Sequence, residues 1–148
     1  MSEIQEAAPP VDVDAWTQAI ARNPRNASLW RARGLALVAL GAFDQAARAF
    51  AEALRLDPSP SLRYLRGKEY LRMGEPGMAV AEFTNAVAIE PYFVAALERR
   101  AEAFRDLNDL VRAAIDDREA LRLRVMTRNR IAAEAAQQES REVPLKTA

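Results

Sequence analysis

The part of the sequence that decides the fold is residues 34–58, which read GLALVALGAFDQAARAFAEALRLDP. The same residue types return in the same order in residues 67–91, which read GKEYLRMGEPGMAVAEFTNAVAIEP. Seven positions pair at one constant spacing: Gly34, Leu37, Gly41, Ala46, Phe50, Ala53 and Pro58 with Gly67, Tyr70, Gly74, Ala79, Phe83, Ala86 and Pro91. A weaker third copy follows at nearly the same interval, with Ala101, Phe104, Asn108, Ala113 and Ala120 at the corresponding places. A fixed period of this length is typical of a repeat array.

Each copy predicts two short helices, helix A and helix B, joined by a tight turn. In the first copy these residues fall on one face of helix A at helical spacing: Leu29, Trp30, Arg33, Gly34 and Leu37. Gly41 supplies the backbone freedom needed to leave helix A, and Asp44 is the predicted N-cap of helix B. Pro58 ends helix B because proline has no N–H to donate. In the later copies Pro76 suits the first turn of helix B, and Asn108 takes the place of the turn glycine.

Small residues occupy the positions where helices A and B are expected to cross. They are Gly34, Gly67 and Ala101 on helix A, and Ala46, Ala79 and Ala113 on helix B. Helices approach each other to about 8 Å only where the crossing residues are small. The large side chains of Phe50 and Phe83 then fill the adjacent gaps. One helix pair cannot bury its apolar face alone, so successive pairs are predicted to stack.

These residues resemble the tetratricopeptide repeat, whose pattern is W-x2-L-G-x2-Y, then A-x3-F, then P. The first repeat carries it as Trp30, Arg33, Gly34, Leu37, Ala46, Phe50, Ala53 and Pro58. The resemblance covers about residues 26–125 and implies an all-α fold, a right-handed superhelix of antiparallel helix pairs with flanking capping helices. The three repeats are predicted at about residues 27–59, 60–93 and 94–125.

The flanking segments complete the predicted domain, which spans residues 11–140. An orphan helix at residues 12–22, capped by Asp12 or Asp14, places Trp16 where a repeat has its helix B aromatic. Both Trp16 and Trp30 fall on core positions of the family and are expected to be buried. After the third repeat, helix B either continues to about residue 138 or breaks near Thr127. Residues 1–10 and 141–148 are predicted to be disordered tails.

Two departures from the family pattern bear on packing. Arg33, Arg66 and Arg100 stand where the pattern has leucine, and their guanidinium groups are expected to reach water while the stems cover apolar surface. Asp117 replaces a buried aromatic. Its carboxylate is either exposed or paired with an arginine such as Arg118 or Arg122.

The composition disfavours several classes of function. Lys plus Arg and Asp plus Glu each number 21, so the formal net charge is zero and a nucleic-acid partner is not expected. The chain has no cysteine and no histidine, which removes thiol and imidazole chemistry. We therefore predict no enzyme activity, no cofactor and no metal site. Residues 1–10 lack a signal-peptide pattern and no long apolar run occurs, so membrane insertion is not expected and a cytoplasmic location is predicted.

The resemblance implies that the concave surface lined by the A helices binds a peptide or a helix of another protein. The candidate groove residues are Ser28, Arg31, Leu35 and Val38 in the first repeat, Ser61, Tyr64, Lys68, Leu71 and Arg72 in the second, and Ala95, Glu98, Glu102, Arg105 and Asp106 in the third. The alternative is a solvated helix face with ordinary charge pairs. One family subtype grips the terminal carboxylate of heat-shock chaperones, but Leu35 and Leu65 stand where that subtype has asparagine.

Three functions fit this sequence. The first is a non-catalytic adaptor or scaffold that holds a partner protein in the groove. The second is a small chaperone for a secreted or membrane client, resembling the type III secretion translocator chaperones, although their acidic composition is not matched. The third is a homo-oligomer that assembles through the C-terminal helix or the end of the third repeat. The 19 arginines against 2 lysines suggest a GC-rich bacterial genome.

Overall fold

The computed structural model describes residues 11–142, which form seven α-helices and no strand in that range. They are α1 (Val13–Arg22), α2 (Ala27–Ala39), α3 (Phe43–Leu56), α4 (Pro60–Arg72), α5 (Pro76–Ile89), α6 (Val94–Asp106) and α7 (Leu110–Glu142). Helices α2, α4 and α6 are the A helices of the three repeats, and α3, α5 and α7 are the B helices. Of the predicted tails, all of residues 1–10 and residues 143–148 of the segment 141–148 lie outside the described residues.

The packing order is that of a helical repeat array. Each A helix packs on its own B helix, and α3 and α5 each also contact the A helix of the following repeat. Helix α1 packs on α2, as predicted for an orphan helix, and α4 contacts α6 directly. The predicted all-α superhelix is confirmed. Among the described residues, no helix is long and apolar enough to cross a membrane.

Three residues with positive φ make the turns between helices A and B. Gly41 and Gly74 both have φ +74°, and Asn108 has φ 57°. In each turn the N–H of the following residue donates to a carbonyl near the end of helix A, as Ala42 does to Leu37 at 2.9 Å. The exchange of the third glycine for asparagine is therefore confirmed as a conservative one, because asparagine enters this region more easily than most residues.

Aspartate side chains cap the first and last helices. Asp12 accepts from the backbone N–H of Ala15 at 2.9 Å and begins α1. Asp109 accepts from the backbone N–H of Arg112 at 3.0 Å at the start of α7. That hydrogen bond, together with the Arg112 guanidinium, holds the pKa of Asp109 below its ordinary value.

The predicted N-cap at Asp44 is wrong. Ala42 occupies the N-cap position, with no side-chain hydrogen bond, and α3 begins at Phe43. The turn at Gly41 is so short that the Ala42 carbonyl already accepts from Ala46 N–H at 2.9 Å. Asp44 lies in the first turn of α3, where its charge favours the helix N-terminus and its carboxylate pairs with Arg48 at 2.8 Å.

Helices A and B cross where a glycine meets a phenylalanine ring. A Cβ atom built on Gly34 would lie 2.5 Å from a ring carbon of Phe50, and one on Gly67 would lie 2.6 Å from Phe83. Both rings are completely buried. The predicted reason for small residues at these positions, close approach of the two helices, is confirmed.

We expect Gly34→Ala or Gly67→Ala to lower the free energy of unfolding by about 1 to 3 kcal/mol, because the added methyl overlaps a ring in a packed core. Gly77→Ala is the matched control. A Cβ at Gly77 meets nothing within 4 Å, so this change should raise helix propensity and stabilise by up to about 1 kcal/mol. Urea unfolding followed by circular dichroism measures both. Equal effects at Gly34 and Gly77 would contradict the packing account.

The expectation that Arg66 and Arg100 point to water is wrong. Arg100 makes two hydrogen bonds to Asp116 of α7, at 2.7 and 2.8 Å, and the Asp116 side chain is 5% exposed. Arg66 bonds Glu82 of α5 at 3.1 Å. Both carboxylates lie 16 residues after their arginine. Repeat one has Ala49 at that place, and Arg33 instead donates to Thr17 of α1 at 3.2 Å.

We expect Asp116→Ala to destabilise the protein by about 3 kcal/mol, because it leaves a largely buried guanidinium without its carboxylate. The double variant Arg100→Leu with Asp116→Leu should recover most of that loss, since leucine is the family's residue at the arginine position. Arg48→Ala, which removes an exposed ion pair, should cost no more than about 0.5 kcal/mol. Thermal and urea unfolding of the three variants check this. A double variant no more stable than Asp116→Ala would contradict it.

The last helix is longer than its repeat requires. Helix α7 is continuous through Thr127 and reaches Glu142, so the predicted alternative of a break is wrong and the helix enters the segment predicted as a tail. It packs on α6 through Ala113, Asp116, Ala120 and Leu123. Every residue from Arg124 to Glu142 is exposed. More than half of α7 is therefore exposed along its whole length.

Candidate partner-binding groove

The inner surface between α4 and α6 contains a hollow of about 260 Å³. Its lining residues are Lys68, Leu71 and Arg72 of α4, and Arg99, Glu102 and Asp106 of α6. All but Arg99 were among the candidate groove residues. They come together because each lies on the A helix face turned toward the neighbouring A helix.

The two cations of α4 are held in place by their neighbours. The Lys68 ammonium lies 5.5 Å from the centroid of the Tyr64 ring, and the Arg72 guanidinium lies 5.5 Å from that of Phe43. Arg72 also pairs at 2.7 Å with Glu69, which is 1% exposed. Cation–π contacts and a buried carboxylate thus position both charges at the wall of the hollow.

The α6 wall carries charges of both signs. Arg99 pairs with Glu102 at 2.7 Å. The Glu102 carboxylate, and after it the Tyr64 side chain, raise the pKa of Arg99 above its ordinary value. Arg99 was not among the predicted groove residues, although its position three residues before Glu102 was a signal for an ion pair on that face. The exposed Asp106 completes this wall.

The candidate groove residue Tyr64 is not in the lining of this hollow. Its ring lies 5.1 Å from that of Phe93 and 6.0 Å from that of Phe83, measured between centroids. The side chain is half-buried, in a cluster with Tyr70, Leu71 and other core residues. Tyr64 therefore lies behind the wall of the hollow, where its ring contacts Lys68.

The first repeat contributes a separate and shallower part of the inner surface. A hollow of about 80 Å³ lies between α2 and α4, with Ser28, Arg31 and Ser61 in its lining. Leu35 is 43% exposed, whereas Val38 packs against the apolar core of the first repeat. Of the first-repeat candidates, Ser28, Arg31 and Leu35 are thus exposed, and Val38 is not.

Two candidate residues of α6 are engaged by α7 instead. Glu98 pairs with Arg124 at 2.6 Å, and Arg105 pairs with Asp117. Neither lines the hollow between α4 and α6. Asp117 is exposed, as one predicted alternative had it, but its partner is Arg105 rather than Arg118 or Arg122.

Stacked helix pairs with a lined inner surface define a helical-repeat protein, and the family is shown by comparison with known sequences. A family model described as tetratricopeptide repeat matches residues 13–59 and 64–125. The chain therefore belongs to the tetratricopeptide repeat family. The match includes α1 and the residues just after it, where Trp16, Ala19 and Pro24 occupy the aromatic, alanine and proline places of a helix B.

One relative and two solved structures illustrate the likeness. The chain is 37% identical over 78 residues to the tetratricopeptide repeat and J domain-containing co-chaperone DNJ1 of Cryptococcus neoformans. The match spans 52% of this chain but only 15% of DNJ1. The crystal structure of MamA superposes with a TM-score of 0.77 at 19% identity, over 79% of this chain and 69% of that one.

The first tetratricopeptide domain of Spaghetti, solved with an HSP90 peptide of sequence SRMEEVD, gives a TM-score of 0.65 at 24% identity. That superposition covers 75% of this chain and 93% of the other. At these identities both structural likenesses establish the shared fold. The family and the co-chaperone relative support a protein-interaction module.

Proposed function

We propose that this chain is a non-catalytic adaptor that holds an extended peptide or a helix of another protein against its A helices. The observation that carries the proposal is the hollow between α4 and α6, where three cations and two carboxylates line one concave surface. The peptide bound to the Spaghetti domain supports a protein ligand for this fold. A cytoplasmic location and a bacterial source remain part of the same proposal.

The charge layout favours a ligand segment with a defined order of charges. Lys68 and Arg72 form a cationic wall on α4, and Glu102 with Asp106 brings negative charge to α6. A segment that runs across both helices meets its best complement with an acidic residue at α4 and a basic one at Asp106. Leu35 and Leu65 stand where a carboxylate-gripping subtype has asparagine, so we propose recognition of an internal segment.

The side chains in this groove are positioned before any ligand arrives. Arg72 is fixed by Glu69 and Phe43, and Arg99 by Glu102. A ligand therefore does not have to immobilise these long side chains when it binds, which lowers the entropic cost of binding. The same contacts restrict the groove to ligands that match the existing positions of the charges.

The test compares two triple variants with the wild type as baits in the lysate of the source organism. The groove variant is Leu35→Glu, Lys68→Glu and Arg99→Glu, which avoids Arg72 because that residue neutralises the buried Glu69. The matched control is Ile89→Glu, Arg48→Glu and Arg55→Glu, which makes the same charge changes on the B helices α3 and α5. We expect the wild type and the control to retain the same protein, and the groove variant to retain at least about tenfold less.

Circular dichroism and urea unfolding of both variants establish that each is folded before the comparison is made. Equal retention by the groove variant and the control would show that the partner binds elsewhere. A retained protein that stays soluble only in the presence of the wild-type chain would favour the client chaperone over the adaptor.

A further inference from the structure

Helix α7 carries the face by which the earlier B helices, α3 and α5, pack on the A helix that follows each of them. In repeat one, Leu54 of α3 packs in a cluster with Leu62 of α4. In repeat two, Val87 of α5 packs against Leu97 of α6. The corresponding residue of α7 is Leu121, which is 63% exposed, and no helix among the described residues covers it. Val125, one turn further, is also exposed.

Helix α1 is exposed on the side where each repeat has its own helix A. Trp16 of α1 stands at the repeat position of Phe50 and Phe83, which are covered by glycines of their own A helices. Helix α1 has no A helix of its own among the described residues, and Trp16 is 36% exposed. The prediction that Trp16 is buried is therefore wrong. Val11, just before α1, is 43% exposed.

The two open ends of the array carry opposite charge. Residues 118–130 contain five arginines and one glutamate, a net charge of +4. Residues 11–16, the first of the described residues, contain two carboxylates and no lysine or arginine, a net charge of −2. Because the whole chain is neutral, this separation is an asymmetry between its ends. Opposite patches attract and orient two molecules before contact.

Apolar and charged residues occur together at each end. The end face of α7 combines Leu121 and Val125 with the exposed Arg118 and Arg128. The start face combines Val11 and Trp16 with the exposed Asp12, which lies one helical turn before Trp16. Each face therefore offers an apolar centre with charges at its margin, which is the usual arrangement of a protein interface.

We propose that the chain self-associates head to tail, with the end face of one copy docked on the start face of the next. The occupant of each face is thus a second copy of this chain. Such a contact uses two different surfaces, so it leaves one of each unused and can continue into a longer assembly. The proposal does not depend on the groove, because neither face includes its lining residues.

The first measurement is molar mass by sedimentation equilibrium, from about 1 µM to 1 mM, the range that covers weak protein associations. We expect the mass to rise above the monomer value of 16.4 kDa without reaching a plateau. Raising the salt concentration from about 0.1 to 1 M shortens the screening length from about 10 to 3 Å and should weaken the association. A constant mass of 16.4 kDa over the whole range would overturn the proposal.

The second measurement mixes two variants that each lose one face. The end-face variant is Arg118→Glu with Leu121→Glu, and the start-face variant is Val11→Arg with Trp16→Arg. Each should be monomeric alone at concentrations where the wild type assembles. Their equimolar mixture should form a dimer of twice 16.4 kDa and nothing larger, because one intact face of each kind remains. Arg48→Glu with Ile89→Glu is the matched control and should assemble like the wild type.

Other results would identify a different contact. Assembly of the start-face variant alone would show a symmetric contact between two copies of α7, and would overturn the head-to-tail arrangement. A mixture that stays monomeric would overturn it as well. Because Trp16→Arg also removes the covered part of the ring from α1, Val11→Arg alone provides a second start-face variant that leaves the helix sequence intact.

Discussion

The contact of a glycine on helix A with a phenylalanine on helix B sets the geometry on which the other packing depends. At Gly34 and Gly67 the space that a side chain would occupy is filled by the ring of Phe50 or Phe83, so the two helices of the repeat approach each other closely. The third repeat has Ala101 and Asp117 at these places and cannot make that contact. Its helices pack through two apolar clusters, Ala101 with Phe104 and Ala113, and Leu97 with Ala120 and Leu123. The ion pairs of Arg100 with Asp116 and Arg105 with Asp117 add to this contact.

Buried arginine–carboxylate pairs replace part of the apolar core in repeats two and three. A pair of this kind contributes little net stability, because the cost of removing both charges from water offsets most of their attraction. It does penalise misalignment, since a shift of one helix against the other would leave Asp116 or Glu82 without its arginine. Two helices with alanine-rich faces offer few shape constraints of their own. We infer that these pairs help to align α4 with α5 and α6 with α7, where leucine would tolerate sliding.

Nearly all of the fold could be predicted from the sequence, because a nearly constant repeat period constrains every helix at once. The errors have a common physical origin. Both the predicted burial of Trp16 and the predicted solvation of Arg100 were inferred from the position of the residue in the repeat alone. Trp16 is exposed because α1 has no helix A of its own among the described residues. Arg100 is largely buried because Asp116 of the next helix pairs with it. The groove shows the same limit. Glu98 lies on the predicted face of α6, but the unusual length of α7 brings Arg124 within reach of it.

The groove and the ends of the array are separate surfaces, so occupation of one leaves the other available. A head-to-tail assembly would present one groove per copy at a regular spacing along its length. A partner with several binding segments could then engage neighbouring copies, and each further contact would form at the high local concentration set by the first. Weak binding by each groove would suffice for stable capture. The exposed part of α7 beyond Arg130 belongs to neither proposed contact, so its Ala-rich surface remains open on every copy of such an assembly.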